Sequence, residues 1–127
     1  MKRLIVSAAF AALAAPAMAG GGFMCSGEGV EAMFPLGGGA GFSLLEAEIR
    51  AKGKIWSTVA RPDVIEIAVS QAFSGNHRIA FDLTDPNMQQ VVAEIRLFWT
   101  EEESDPVFGG TLKMPGEGAW AIACDAG

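Results

Sequence analysis

The sequence predicts an all-β protein: a single antiparallel β-sandwich or small β-barrel of about seven or eight strands, with its terminal strands joined by one disulfide. Three observations predict this fold. Apolar and polar residues alternate in several segments from residue 54 onward, which is typical of strands that bury one face. Turn residues interrupt these segments at short intervals. The two cysteines lie near the two ends of the chain once an N-terminal signal is discounted.

That N-terminal segment has the composition of an export signal. Lys2-Arg3 gives a positive start, residues 4–14 form an apolar run without charge, and Ala17-Met18-Ala19 is a small-x-small cleavage sequence. Because the apolar run is shorter than the ~18 residues of a membrane span, we expect cleavage and no membrane insertion afterwards. The expected organisation is a secretory signal peptide over 1–19 and one exported β domain over 20–127, periplasmic or secreted.

The cysteines predict how the exported domain is closed. In an oxidising compartment, Cys25 and Cys124 indicate a disulfide between the first and the last strand. The chain-entropy estimate for a loop on the order of 100 residues is ~4.7 kcal/mol, which we take as an upper value. Two free thiols or a redox pair are weaker alternatives, since nothing resembles Cys-x-x-Cys.

Alternation and turns also predict individual strands. Residues 22–34 are counted as one bent or broken strand. Residues 43–52 alternate in polarity but also contain the capping-box pattern Ser43 to Glu46, so we favour a strand and keep a helix as the alternative. Five later segments are separated by turns of a few residues and are predicted to be successive antiparallel strands: 64–73, 78–84, 90–100, 107–114 and 119–125.

The charge of the exported domain limits its partners. Without Lys2 and Arg3, seven Lys and Arg remain against fifteen Asp and Glu, a formal charge of -8. Such a balance repels nucleic acid and anionic membrane surfaces. A charged partner is therefore expected to be a cationic periplasmic or extracellular protein, and the oligomeric state is left open.

Few residues in the sequence suggest catalysis or metal binding. His77 is the only histidine, which excludes two-histidine zinc sites, and as a general base it would need Ser74 and an orienting acid in triad geometry. The acid-rich segment 101–105 lacks the spacing of a calcium loop and is predicted to be a solvated turn. We therefore predict no catalytic residue, metal or cofactor. Core burial is expected for the tryptophans and for the methionines outside the signal: Trp56, Trp99, Trp120, Met24, Met33, Met88 and Met114.

One turn is selected as a candidate binding site. Ser74, Asn76, His77 and Arg78 place hydroxyl, amide, imidazole and guanidinium groups at a tight hairpin, where they could enter a polar cleft of a partner. A hairpin turn without any binding role is the alternative.

The exported acidic β domain, its disulfide and Ser74-Gly75 resemble the periplasmic inhibitors of c-type lysozyme in general layout. The Tyr-containing extension of that family's inhibitory motif is missing, so the chain is not assigned to the family.

These observations favour a non-enzymatic exported binding or interaction module. Inhibition of a cationic enzyme such as a c-type lysozyme, which the resemblance implies, is the first alternative. A small-ligand carrier barrel and a hydrolase that uses His77 are further alternatives.

Overall fold

The computed structural model describes residues 21–36, 44 and 46–126. This part of the chain is all-β, as predicted, but it contains ten strands rather than seven or eight. The strands are β1 Gly22–Gly27, β2 Val30–Pro35, β3 Glu48–Ala51, β4 Lys54–Ser57, β5 Ile65–Glu66, β6 Ala68–Gly75, β7 Arg78–Thr84, β8 Val91–Glu102, β9 Asp105–Met114 and β10 Gly118–Ala126. No helix in these ranges is long and apolar enough to cross a membrane.

All ten strands belong to one sheet, in the order β5-β4-β3-β2-β1-β10-β9-β8-β7-β6. Neighbouring strands are antiparallel except β4 and β5, which are parallel. The two strands at the ends of this order, β5 and β6, are consecutive in the chain and separated only by Ile67. The sheet therefore curls into a nearly closed barrel.

The additional strands come from two tight turns and one change of partner. The prediction of a single strand over 22–34 is wrong, because the chain reverses at Glu28 and at Gly29, which has a φ of 80°. A second reversal at Lys52 and Gly53, both with positive φ, separates β3 from β4. These turns need the left-handed backbone conformation that glycine adopts at low cost.

Residues 48–51 form a strand, in agreement with the favoured interpretation of 43–52. Ser43 and Leu45 lie outside the described residues. Four of the five later predicted strands are confirmed to within a few residues. The first, 64–73, is divided at Ile67, where the chain changes its pairing from β4 to β7.

The core fills the inside of the barrel. Alternate residues of the long strands point inward, and Phe34, Phe81, Leu83, Ile95 and Leu112 are completely buried there. The rings of Phe34 and Phe81, on strands far apart in the sheet order, lie 5.2 Å apart. Burying each such side chain stabilises the fold by about 1.5–3 kcal/mol.

The predicted disulfide is present. Cys25 and Cys124 are directly opposite each other on β1 and β10, 99 residues apart in sequence, and both are buried. The bond therefore joins the first strand to the last from inside the barrel.

The prediction of core burial agrees better with the tryptophans than with the methionines. Trp56 is buried, and Trp99 and Trp120 are half-buried against the core. Core burial is wrong for three of the four methionines, because only Met114 is buried. The exposed ones are Met24 and Met33, which are cross-strand neighbours pointing outward from β1 and β2, and Met88, which lies in the turn after β7.

Candidate functional site

Two hairpins lie side by side at one end of the barrel, which we call the hairpin end. The β6–β7 hairpin turns at Asn76 and His77, and the β8–β9 hairpin turns at Glu103 and Ser104. Arg78 at the start of β7 pairs with Phe98, and β8 continues four residues beyond that point. The second hairpin therefore projects past the first, and we call its projecting residues, 100–107, the acidic arm.

The β6–β7 turn is shaped by its neighbour. Asn76 and His77 have φ values of 51° and 63°, the left-handed conformation that a two-residue hairpin turn requires. Asparagine tolerates this conformation, whereas histidine adopts it at a cost. The His77 ring packs edge-on against Trp99 with centroids 4.5 Å apart, and the His77 carbonyl accepts a hydrogen bond from the Trp99 N–H at 3.0 Å. Trp99 thus fixes the conformation of His77.

This arrangement places the His77 ring in contact with Trp99. Among the described residues, neither a serine hydroxyl nor a carboxylate forms a hydrogen bond with its imidazole. The nearest serine in sequence, Ser74, is exposed on β6. A hydrolase built around His77 therefore has no support from this geometry.

All four candidate binding residues are exposed at this turn: Ser74, Asn76, His77 and Arg78. Their participation in binding stays a prediction. Arg78 has no ion-pair partner within the described residues, and it lines a surface pocket of about 220 Å³ with the exposed rings of Phe73 and Phe98. Side-chain alternation places Phe73 and Phe98 on the outer face of the barrel, beside the turn.

The acidic arm concentrates four of the chain's fifteen acidic residues within five positions. Its four carboxylates, Glu101, Glu102, Glu103 and Asp105, are all exposed, and none forms an ion pair with a described residue. Val107 on the same arm is 65% exposed. No group of His, Cys, Asp and Glu within the described ranges could hold a metal ion. The arm is thus a concentrated negative charge without an internal counterion.

Two acids elsewhere have structural partners that lower their pKa. Burial raises the pKa of Glu48, but hydrogen bonds from Arg50 and Arg61 outweigh it, so the pKa lies below its ordinary value. The backbone N–H groups of Gln90 and Gln89 donate to Asp85 Oδ1 at 2.9 and 2.7 Å and also lower its pKa. These carboxylates are used by the fold, whereas those of the arm are not.

Sequence reasoning selected the turn as a candidate site and interpreted the acid-rich segment 101–105 only as a solvated turn. The acidic run was visible, yet nothing in the sequence shows that β8 and β9 extend past their neighbours, because that depends on strand register. The exposure of Phe73, Phe98 and Val107 was also missed, since each lies in a segment whose alternation predicts only that one face is buried.

Comparison of the chain with protein families, curated proteins and solved structures found no match.

Proposed function

We propose that the protein is an exported, non-enzymatic binding module that holds a cationic protein at its hairpin end. The acidic arm supplies the charge, and the turn from Ser74 to Arg78 contributes to the contact. The observation that carries the proposal is the set of four exposed, unpaired carboxylates on a hairpin that projects beyond the barrel.

The two parts of the site have different physical roles. A single exposed ion pair contributes only about 0–1 kcal/mol, so the arm acts mainly by attracting and orienting a positively charged surface. Apolar contact with Phe73, Phe98 and Val107, which are 52%, 58% and 65% exposed, adds burial that does not depend on salt. Binding should therefore weaken, but persist in part, as salt rises from ~0.05 to ~0.5 M.

Export is part of the proposal. The N-terminal signal composition and the disulfide, which persists in oxidising compartments, both favour a periplasmic or secreted location. We therefore expect the partner that binds the acidic arm to be a periplasmic or secreted protein.

The first alternative is inhibition of a cationic enzyme such as a c-type lysozyme. It is favoured by the position of Ser74-Gly75 at the end of an exposed strand, next to a protruding turn that could enter a cleft. The carrier alternative receives less support, because the interior is filled by core side chains and the pockets among the described residues lie on the surface.

A charge-matched pair of variants tests the proposal. The arm variant carries E101Q, E102Q, E103Q and D105N; the control neutralises four other exposed, unpaired acids and carries E28Q, E31Q, D63N and E66Q. Each is used as bait in a pull-down from periplasmic extract and in binding to c-type lysozyme. We expect recovery of the bound protein to fall at least ~10-fold for the arm variant and little for the control.

Equal losses in the two variants would mean that only net charge matters, and no loss in either would exclude the arm. A triple substitution S74A/H77A/R78A then tests the turn at constant arm charge. Hydrolase activity lost on H77A alone would overturn the non-enzyme proposal.

A further inference from the structure

The outer edge of β6 is open. β6 is the last strand in the sheet order, and β7 occupies one of its two edges. On the other side β4 ends at Ser57, and the hydrogen bond from the Ile67 N–H to the Ser57 carbonyl is the last backbone bond across the gap. From Ala68 to Gly75 no described residue pairs with this edge.

Strand geometry shows which backbone groups point outward. In a two-residue hairpin, Gly75 and Arg78 form a hydrogen-bonded pair, so alternate residues of β6 bond to β7. Phe73 therefore pairs through its backbone with β7, and the N–H and C=O groups of Ala72 and Ser74 point to the open edge. These are the groups that another strand would use.

Both faces of this part of β6 are uncovered as well. Ala72 and Ser74 lie opposite the core residues Phe81 and Ile79, so their side chains are on the inner face, yet both are exposed. Phe73, on the outer face, is 52% exposed. The strand therefore has two exposed faces in addition to an open edge.

The edge also lacks the usual protection. Native proteins protect open edges with charged residues, proline, bulges or a covering segment. Residues 67–77 contain no Asp, Glu, Lys, Arg or Pro, and the irregularity between Val69 and Gln71 leaves 71–75 regular. In a chain with fifteen acidic residues, this neutral stretch is where a second strand could approach without charge repulsion.

We propose that β6 is a dimerisation strand, which pairs antiparallel with β6 of a second copy of this chain about a two-fold axis at Phe73. Phe73 then lies opposite the partner's Phe73. Ala72 exchanges backbone hydrogen bonds with the partner's Ser74, and Ser74 does so with the partner's Ala72, which makes four bonds by symmetry.

The choice of a second copy follows from self-complementarity. The two Phe73 rings meet on the outer face, a favourable cross-strand pair. In the same register Gln71 lies opposite the partner's Gly75. The Phe73 ring of each copy lies over its own Gly75, 3.3 Å from where a Cβ would stand, so in the dimer the Gln71 side chain packs beside the partner's Phe73 ring on the outer face.

The Phe73 pair lies on the two-fold axis, and every other contact occurs twice. A cationic peptide would gain nothing from the neutral backbone edge at 71–75, whereas the acidic arm on β8 and β9 would attract one. Phe73, Ser74 and Arg78 are shared with the proposed partner site, so a second copy and a cationic partner would compete for them.

The expected dimer is weak. A strand pair of about five residues buries less than the ~1,200 Å² of standard stable interfaces, so we expect a dissociation constant of about 10–500 μM. Sedimentation equilibrium from ~5 μM to ~1 mM measures it, on protein purified from the periplasm of cells that express the full chain.

A like-charge substitution tests whether the edge forms the contact. F73K places two ammonium groups directly opposite each other and should weaken dimerisation at least ~10-fold. M24K adds the same charge at a similarly exposed outward position on β1, five strands from β6 in the sheet order, and should leave dimerisation unchanged. A protein that is monomeric at every concentration, or equal effects of F73K and M24K, would overturn the proposal.

Cross-linking tests the register. The native cysteines form a disulfide, so an introduced thiol is the single free one in the described chain. In F73C the two thiols face each other across the axis, whereas in Q71C they are separated by four residues along the strand, about 13 Å. Mild oxidation should cross-link F73C several-fold more than Q71C, and equal yields would exclude this pairing. Circular dichroism of each variant confirms that the barrel is intact.

Discussion

The barrel is closed at two places that differ in strength. At the terminal seam, β1 pairs with β10 over four residues, and the buried disulfide joins the same strands. At the open seam, β4 pairs with β5 over two residues, and one further hydrogen bond comes from Ile67. Beyond it no described residue pairs with the edge of β6 opposite β7. The first and last strands of the described sheet are thus cross-linked to each other, whereas the internal strand β6 keeps one edge unpaired among the described residues.

The physical reason lies in strand length. β1 and β10 are six and nine residues long and overlap, so their backbone groups can pair and their apolar side chains share one core. β4 has four residues, and its pairing with β3 ends at the hydrogen bond from the Thr58 N–H to the Ala47 carbonyl. The chain then bends at 58–59, where the Val59 N–H donates to Ser57 Oγ. β6 consequently extends beyond the strand that would cover it.

Removal of the disulfide should have the largest effect on stability. We expect C25A/C124A to lower the free energy of unfolding by about 2–5 kcal/mol, because the unfolded chain regains the freedom that the cross-link removes. Urea denaturation measures this, and reduced wild-type protein serves as the control without a change in side-chain volume. A loss under about 1 kcal/mol in both would mean that strand pairing alone secures the terminal seam.

The next effect should occur at the open seam. Ile67 is 2% exposed, so I67A should leave a cavity and cost about 2–4 kcal/mol. Ile65, two residues earlier on β5, is 46% exposed, and I65A should change stability by less than about 0.5 kcal/mol. Denaturation experiments measure the free energy of unfolding of both variants. Similar losses of stability in I67A and I65A would show that β5 packs against the barrel along its whole length, and the open seam would then differ less from the terminal seam.

A smaller effect should follow from a glycine at the terminal seam. A Cβ built on Gly27, at the end of β1, would collide with the carbonyl oxygen of Ala121 on β10, so we expect G27A to cost about 1–3 kcal/mol. At Gly109 the nearest atom to such a Cβ is the Ile122 carbonyl oxygen at 3.5 Å, an ordinary contact. G109A should therefore be tolerated to within about 0.5 kcal/mol, and equal thermal shifts would contradict the close approach of β1 and β10.

The smallest expected effect is a pH dependence of stability, and it comes from Asp85, which belongs to neither seam. Asp85 accepts two backbone hydrogen bonds in the turn between β7 and β8, and its pKa is lowered. Its contribution to stability is therefore present above the unfolded pKa of about 3.9 and is lost as the pH falls through the lower folded pKa.

We expect the amide proton shifts of Gln89 and Gln90 to titrate with a midpoint below about 3.9, and those of D85N to be nearly constant. A midpoint at or above that value would show that these hydrogen bonds do not favour the charged form.

Prediction from sequence was most successful where a rule acts locally. The strands β7 to β10 and their turns were predicted because alternation and turn residues depend on neighbours in the chain. The failures at 22–34 and at Ile67 have another origin: a reversal at Glu28 and Gly29 resembles a bend in an extended strand, and a change of pairing partner leaves no mark on alternation. At the candidate site the four polar residues of the β6–β7 turn were predicted, but the reach of the acidic arm was not.

The sequence by itself determined the all-β class, the disulfide between Cys25 and Cys124, and the concentration of acid at 101–105. Each follows from residue type and spacing. Only the tertiary structure decided that the strands form one nearly closed sheet, that Trp99 orients His77, and that β6 has an open edge. These features depend on which strands lie side by side and in what register. That choice is made by packing between residues far apart in the chain, which local patterns do not encode.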